Sequence, residues 1–540
     1  MDMIVEKNPI NNNISFGEGS KYIIRSNMNP MLDIILEEVN DFTLQAGLKM
    51  KSIGVLYQIV KGCGSSVVSH LEKILFALYK NINNDEEDIM AKIEETANIL
   101  GLCIDQDIII PILSKHLSDV EIKTAFQPFS ARVRIFSNVV MKIANITAKT
   151  AKNIIDIINE LDIFNLPESI YNKDILINCY KIYDSLIINL HSNRISKEFH
   201  TDLFIPLLFL QSIPETALIH KRVKDETMLS LCVYCGFDSI ESLYSFEMVT
   251  ILDKFKTSHK LWRRNSPDRF AFDSLVKNAG IALENSWKEV LTIISNSIEV
   301  EKDLEMRVDM MVLMEKIIDT KILSDDARMF APFMIREILI PGTYWKNNRP
   351  SYKIRQVALV CLIKMFDNQL VDLDMFNDGN DIIVEFFTVL KVTLADDWDA
   401  NLRFLSIVLV GRVFTYCEKM ITEFHLSDSY NMILKRMDDA QDKIRIESCN
   451  VLKTFFRICM KGIKVSESQF KFIIETLFVH FDDSKEEIRI AVKEVLKYAS
   501  QVYSKKFLEI AEDNLKRFTH QSICKEVIEY ASQFVNKYND

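Results

Sequence analysis

Glycine and proline are scarce in this chain, at 13 and 11 of 540 residues. That leaves little turn material for a loop-rich β architecture and little for a glycine loop that cradles phosphate. No G-x-G-x-x-G, G-x-x-x-x-G-K-[ST] or G-x-S-x-G pattern occurs, so neither a standard nucleotide loop nor the common serine-hydrolase elbow has a foothold. Ten cysteines are spread without framework spacing, and the start MDMIVEKNPINNNISFGEGS has no basic region followed by an apolar run. A reducing compartment, the cytoplasm, is the expectation. Long apolar runs are missing too: DLFIPLLFLQSIP is interrupted by Pro206 and Pro214, short of the roughly 18 apolar residues of a membrane span. Lys+Arg 65 against Asp+Glu 76 leaves a net charge of −11. That disfavours a nucleic-acid binder, whose phosphate affinity needs a basic surface.

What the chain does have is 48% apolar residues arranged with a long period. Apolar or small residues recur at offsets of 4, 7, 8 and 11, one face of a helix, in five copies. These are Met306, Met310, Leu313, Met314 and Ile317; Ile354, Ala358, Cys361, Leu362 and Met365; Leu402, Ser406, Leu409, Val410 and Val413; Ile444, Ser448, Val451, Leu452 and Phe455; and Ile488, Val492, Val495, Leu496 and Ala499. In each, the residue after the first apolar one is arginine: Arg307, Arg355, Arg403, Arg445 and Arg489, spaced by 48, 48, 42 and 44 residues. That is close to the roughly 40–47-residue period of HEAT and armadillo units. The template extends upstream onto Leu48, Ile93, Val133, Ile175, Met228 and Phe272, with a basic residue next only at Lys49 and Arg134. The fold class expected is all-α, an α-solenoid of HEAT/armadillo-like two-helix repeats with about eleven units. Residues 1–29 read as a disordered or loosely attached lead-in, 30–258 as divergent helical repeats and 259–540 as C-terminal HEAT repeats.

Paired aspartates precede the last three arginines by seven and six residues: Asp396/Asp397, Asp438/Asp439 and Asp482/Asp483. That places them in the turn between the two helices of a unit, where an aspartate suits the free amides and positive end of the next helix. Asp439 with Asp442, and Asp483 with Glu486, have capping-box spacing. In a stack, each arginine can reach the aspartate of its own or the neighbouring turn, so Asp397, Asp439 and Asp483 with the five arginines are expected to form a structural ladder. A metal or phosphate site is the competing reading. It is disfavoured because hard cations need several convergent oxygens and the pairs lie a repeat apart.

Other candidates have plainer readings. Cys232 and Cys235, with His220 upstream, lack a second cysteine pair and take core-facing offsets 4 and 7. His191, His200, His259 and His480 show no HExxH spacing. LWRRNSPDRF, with Trp262, combines basic residues and an aromatic as a base-stacking strip would, but its flanks are not basic and Ser266-Pro267-Asp268 opens a helix. NNDEEDIMAKIEE reads as a solvated acidic loop and helix start. No catalytic, cofactor or metal residues are assigned, and no small-molecule substrate.

The stretch from about Lys260 onward resembles the HEAT-repeat dynein axonemal assembly factor family. The passages are LWRRNSPDRFAFDSLVKNAGIAL, with Trp262, Ser266, Pro267 and Arg269; YWKNNRPSYKIRQVALVCL, with Trp345, Arg349, Ile354, Arg355, Ala358, Cys361 and Leu362; and the terminal repeats ILKRMDDAQDKIRIESCNVLKTF and LFVHFDDSKEEIRIAVKEVLK. The resemblance implies a longer chain with more N-terminal units. It also implies a non-enzymatic cytoplasmic factor that works with chaperones on axonemal dynein heavy and intermediate chains before their transport into cilia or flagella. Partners would be proteins only, with no nucleic acid and no membrane. Two readings stand beside it. One is another HEAT scaffold, such as a nuclear transport receptor or a phosphatase scaffold subunit. The other is a helical enzyme with dispersed active-site residues, which would need a deep pocket of converging titratable groups.

Overall fold

The computed structural model describes residues 5–7, 14–16, 18–83, 86–118, 126–160, 173–195, 197–213, 217–319, 328–344, 351–371, 374, 382–396, 398–515, 517 and 520–535. Apart from one short antiparallel strand pair, β1 (Val5–Lys7) with β2 (Ile14–Phe16), the described elements are helical. The chain divides into two compact units, Met1–Ala282 and Leu283–Asp540.

The first unit contains α1 (Glu18–Ser26), α2 (Met28–Asn40), α3 (Ala46–Cys63), α4 (Leu71–Asn81), α5 (Glu87–Cys103), α6 (Gln106–Ser118), α7 (Phe126–Val140), α8 (Ala148–Glu160), α9 (Lys173–Ser192), α10 (His200–Ser212), α11 (217–235, its middle Val223–Thr227 wound as a π-helix), α12 (Ile240–Ser258) and α13 (Pro267–Asn278). Helices α3, α5, α7 and α9 stack in succession, and α2 packs on α4 and α6 on α8. This is the two-row layering of a solenoid. Within the expected lead-in the structure places helix from Glu18 onward. Ile24 and Met28, one turn apart, are buried, and α1 packs on α3, because an apolar pair at i, i+4 gives even this polar stretch a face to bury.

The upstream template shifts by one residue at its first position. Leu48 is exposed and Lys49 takes the inward place, while Ser52, Ile53, Leu56, Ile59 and Val60 are all buried. Lys49 is tolerated there because its amine lies over the Phe42 ring, 5.1 Å from the centroid, and 3.5 Å from the Asp41 carbonyl oxygen. Gly101 marks a close approach of α5 and α7: a Cβ there would sit 2.2 Å from the Val139 carbonyl oxygen. Trp262 wedges between Phe255 and Phe272, with ring centroids at 5.7 and 5.5 Å. That contact ties α13 to α12 and puts the unit boundary after Ala282, beyond the division anticipated at residue 258.

The second unit contains α14 (Trp287–Ser297), α15 (Leu304–Asp319), α16 (331–343, its middle Met334–Leu339 a π-helix), α17 (Ser351–Asp367), α18 (Ile382–Leu394), α19 (Ala400–Tyr416), α20 (Glu423–Leu434), α21 (Asp442–Met460), α22 (Glu467–Val479), α23 (Glu486–Ala499), α24 (Ser504–Asn514) and α25 (Gln521–Val535). The odd-numbered helices from α15 to α25 pack each on the next, as do the even-numbered ones from α16 to α24. All twenty-five residues of the five-copy template are at most 3% exposed. Ser406 and Ser448 fit this apolar face because their hydroxyls donate to the Leu402 and Ile444 carbonyls at 2.7 and 2.8 Å, so neither buried hydroxyl is left unsatisfied. The protein is an all-α solenoid of two-helix repeats.

Candidate functional site

The arginine of each template follows its first buried residue, one turn inside the second helix of a unit. Helical side chains lean toward the N-terminus, so each guanidinium returns to the turn that opens its helix. Arg307 donates Nε to the Ile298 carbonyl at 2.8 Å, Arg355 donates Nε to Thr343 at 3.0 Å, Arg403 donates Nη1 to Asp396 at 3.0 Å and Arg489 donates Nη1 to Asp483 at 2.6 Å. Three of the arginines also cross to the turn of the following repeat. Arg355 Nη1 meets Asp396 Oδ2 at 2.9 Å, Arg403 grips Asp439 through Nε at 2.7 Å and Nη2 at 3.0 Å, and Arg445 Nη1 meets Asp483 Oδ2 at 2.5 Å. Arg445 also bonds Asp442 of its own turn.

Asp397, anticipated as a rung, lies outside the described residues. The carboxylate that receives Arg355 is its neighbour Asp396. Asp439 and Asp483 each stand two residues before the N-cap and accept the N-cap amide, Gln441 N at 3.1 Å and Lys485 N at 2.8 Å. They therefore shape the turn; neither caps the first helical turn, and neither forms a capping box with Asp442 or Glu486. The reason is geometric: an aspartate turned toward the guanidinium of the preceding repeat faces away from the amides of its own helix. Capping boxes occur instead on first helices, Thr422 with His425 and Ser466 with Gln469. At α19 the cap is Asp399, which accepts from Asn401 and Leu402.

Burial alone would raise the Asp439 carboxyl. The Arg403 hydrogen bonds, the Gln441 amide and the charges of Arg403 and Arg436 more than offset it and hold the pKa below the usual carboxylate value. The Asp442 pKa is lowered chiefly by its hydrogen bond from Arg445. Burial lowers the pKa of Arg307. His480, buried beside this edge, has a pKa pushed below the ordinary imidazole value by burial, against the opposing pull of Asp438 and Asp483. Carboxylates engaged in this way by guanidinium and amide donors are poorly placed to shuttle protons.

Elsewhere the sequence candidates take plain positions. Cys232 and Cys235 are buried, and the Cys232 thiol donates to the Phe237 carbonyl at 3.3 Å. His220 pairs with the Gln211 carbonyl. His200 pairs with Glu247, which also accepts from Thr201 at 2.8 Å. Among the described residues no group of three His, Cys, Asp or Glu is placed to hold a metal ion, and no helix is long and apolar enough to cross a membrane. A cleft of about 320 Å³ in the first unit is lined by Gln211, His220, Asp273, Ser274, Lys277 and Asn278. Its polar groups are largely bonded to one another: Ser274 to Gln211 at 3.1 Å, Asn278 to Ser274 at 2.8 Å and Lys277 to Asp273.

At the tryptophan junction, Trp262 is buried and its indole N–H donates to Ser258 at 3.1 Å. Ser266 occupies the N-cap position of α13, but its hydroxyl accepts from the Arg263 amide at 2.8 Å. Pro267 opens the helix, and Arg269 is buried with its guanidinium 4.1 Å from the Phe270 ring centroid. Trp345 and Arg349 lie outside the described residues. Sequence reading missed Trp398, which stands in the turn between the Arg355 and Arg403 rungs with 88% of its surface exposed.

Stacked two-helix units joined by in-register side-chain rungs define the class: a HEAT-repeat protein. Within it, residues 11–213 match the family described as dynein axonemal assembly factor 5, HEAT-repeat domain. The chain is similar to dynein axonemal assembly factor 5 of Xenopus laevis, 21% identical over 529 residues, covering 96% of this chain and 60% of that protein. It is also similar to the Homo sapiens protein, 20% identical over 522 residues, with 95% and 58% covered. The chain thus spans about 60% of the length of these relatives. The resemblance reaches the N-terminal half as well, where no local passage betrayed it. Among solved structures, karyopherin Kap121p bound to the SUMO protease Ulp1p is similar at 13% identity and a TM-score of 0.38, with 96% of this chain and 54% of that one covered.

Proposed function

We propose that this protein is a non-enzymatic scaffold that holds axonemal dynein heavy and intermediate chains in the cytoplasm, together with chaperones, while dynein arms are assembled before transport into cilia or flagella. The observation that carries this reading is the similarity over nearly the whole chain to two vertebrate proteins named dynein axonemal assembly factor 5. The fold supports it physically. A repeat stack presents an extended surface on which a partly assembled subunit can be held by many weak contacts, and the paired charges Arg355–Asp396, Arg403–Asp439 and Arg445–Asp483 are engaged in structural bonds.

The test is affinity purification of the tagged full chain from a ciliated cell, followed by mass spectrometry, paired with depletion. Dynein heavy and intermediate chains with chaperones should co-purify, and depletion should lower cytoplasmic heavy-chain levels and remove arms from axoneme cross-sections. Recovery of a Ran-type GTPase or phosphatase subunits in their place, with arms intact after depletion, would replace this reading with another HEAT scaffold.

A further inference from the structure

Among the described residues Trp398 is the most exposed of the large apolar side chains, at 88%. It is not loosely hung: its amide donates to Asp396 Oδ1 at 3.0 Å, and Asp396 is itself held by Arg355 at 2.9 Å. The Trp398 backbone is thus tied to a ladder aspartate while its indole is presented to solvent, just before α19. On the same edge, the position after each of the last three ladder arginines is occupied by Phe404, Ile446 and Ile490 on α19, α21 and α23. Phe404 and Ile446 are half-buried and Ile490 is 48% exposed. Because the arginines are in register, so are these residues, forming a discontinuous apolar strip.

Carboxylates flank it. Asp438 has 78% of its side chain exposed and Asp442 47%, and Glu486 and Glu487 are exposed. The bases on this edge are partly engaged: Lys443 donates to Asn401 at 3.1 Å and lies 4.8 Å from the Phe404 ring centroid, Lys485 faces Asp442 at 3.8 Å and Arg436 meets Asp439 at 3.1 Å. Lys443 over Phe404 shows within the molecule how this surface receives a cation, with an aromatic face below and oxygens alongside.

We propose that the turn edge from Trp398 to Ile490 docks an extended, Lys- or Arg-bearing segment of a protein partner, with Trp398 as its anchor. Charge complementarity selects a basic occupant, since exposed aromatic faces and carboxylates both attract cations. The repeat selects its spacing. Packed helices lie about 8–10 Å apart, and an extended chain of polyproline-II type advances about 3.1 Å per residue with about three residues per turn, so apolar residues at every third position share one face and fall on successive strip positions while basic residues between them meet the carboxylates. The inference rests on this surface and is independent of which client the protein serves.

The experiment is fluorescence anisotropy of the full chain with three labelled synthetic peptides. One carries leucine at every third position with Lys and Arg between, one has the same composition with the leucines bunched, and one replaces each base by glutamate. The spaced basic peptide should bind, and more weakly as salt rises. Trp398→Ala should weaken it by at least about tenfold, as expected for an aromatic anchor, and the Glu486→Lys, Glu487→Lys double variant by about fivefold. Phe424→Ala, an exposed aromatic on a first helix, should leave binding unchanged. Melting temperatures should match the parent, because these side chains are exposed. Equal binding by Trp398→Ala, or equal binding of the bunched or acidic peptide, would overturn the proposal.

Discussion

Arg403 and Asp439, 36 residues apart in sequence, form a two-pronged bond between consecutive repeats in which the aspartate side chain is only 1% exposed. Each end is anchored a second time, Arg403 on the Asp396 carbonyl and Asp439 on the Gln441 amide. The pair therefore fixes the α19 turn and the α21 turn to each other.

Removing either partner should strand a buried charge, at a cost of about 3 kcal/mol. Arg403→Ala and Asp439→Ala are expected to lower stability by that order in urea unfolding, and a double-mutant cycle should give strong coupling. The exposed Lys73–Asp33 pair, at 3.2 Å with both side chains more than 60% exposed, should show almost none. Comparable coupling in the two cycles would remove the ladder's structural role.

The Asp439 and Asp442 pKa values are depressed in the folded state, from a reference of 3.8. For such groups the stabilisation is fully present above the unfolded value and disappears as pH falls through the folded one. The melting temperature of the parent should therefore exceed that of Asp439→Asn at neutral pH, and the gap should close only as pH drops below about 3.8. A gap that is constant down to about pH 2.5 would contradict the assignment.

His480 acts in the same direction at higher pH. Burial favours its neutral form, so the unfolded chain takes up the proton first and stability declines as pH falls below about 6.5, levelling off once the folded imidazole is also protonated. The groups facing it are Asp438, Asp483 and Arg445. His480→Gln should flatten the melting-temperature profile between pH 6.5 and about 5, which differential scanning calorimetry would register.

Backbone contact sets another limit. Gly101→Ala would force a methyl carbon against the Val139 carbonyl, so α5 and α7 must separate; about 2 kcal/mol of destabilisation is expected. Hydrogen exchange should quicken in both helices, whereas Gly54→Ala, with nothing within 4 Å of the added carbon, should leave exchange unchanged.

The thiols should be inert in the folded protein. Burial pushes the pKa values of Cys179, Cys417, Cys449 and Cys459 up to about 12, and nine of ten cysteines are buried. Since only the thiolate reacts, brief iodoacetamide treatment should modify Cys103, the half-buried one, ahead of the rest, as mass spectrometry would show. Early labelling of Cys232 or Cys235 would mean that α11 opens readily.

The sequence by itself determined the repeat. An apolar period of 3.6 nested in a period near 45 leaves a helix no stable option but to bury that face against its neighbours, and so the template residues from Met306 to Ala499 could be assigned to the core without coordinates. Where the pattern was weaker, at Leu48 and in residues 18–29, one-residue shifts and short amphipathic stretches were beyond it. Tertiary structure decided which partner each charge takes. Spacing placed Asp396, Asp439 and Asp483 in turns, but whether a carboxylate caps its own helix or crosses to the previous repeat depends on how two helices stack. That stacking is set by contacts between residues some 40 positions apart, which no local pattern encodes. The exposure of Trp398 was hidden for the same reason, since burial is a property of neighbours and not of the residue itself.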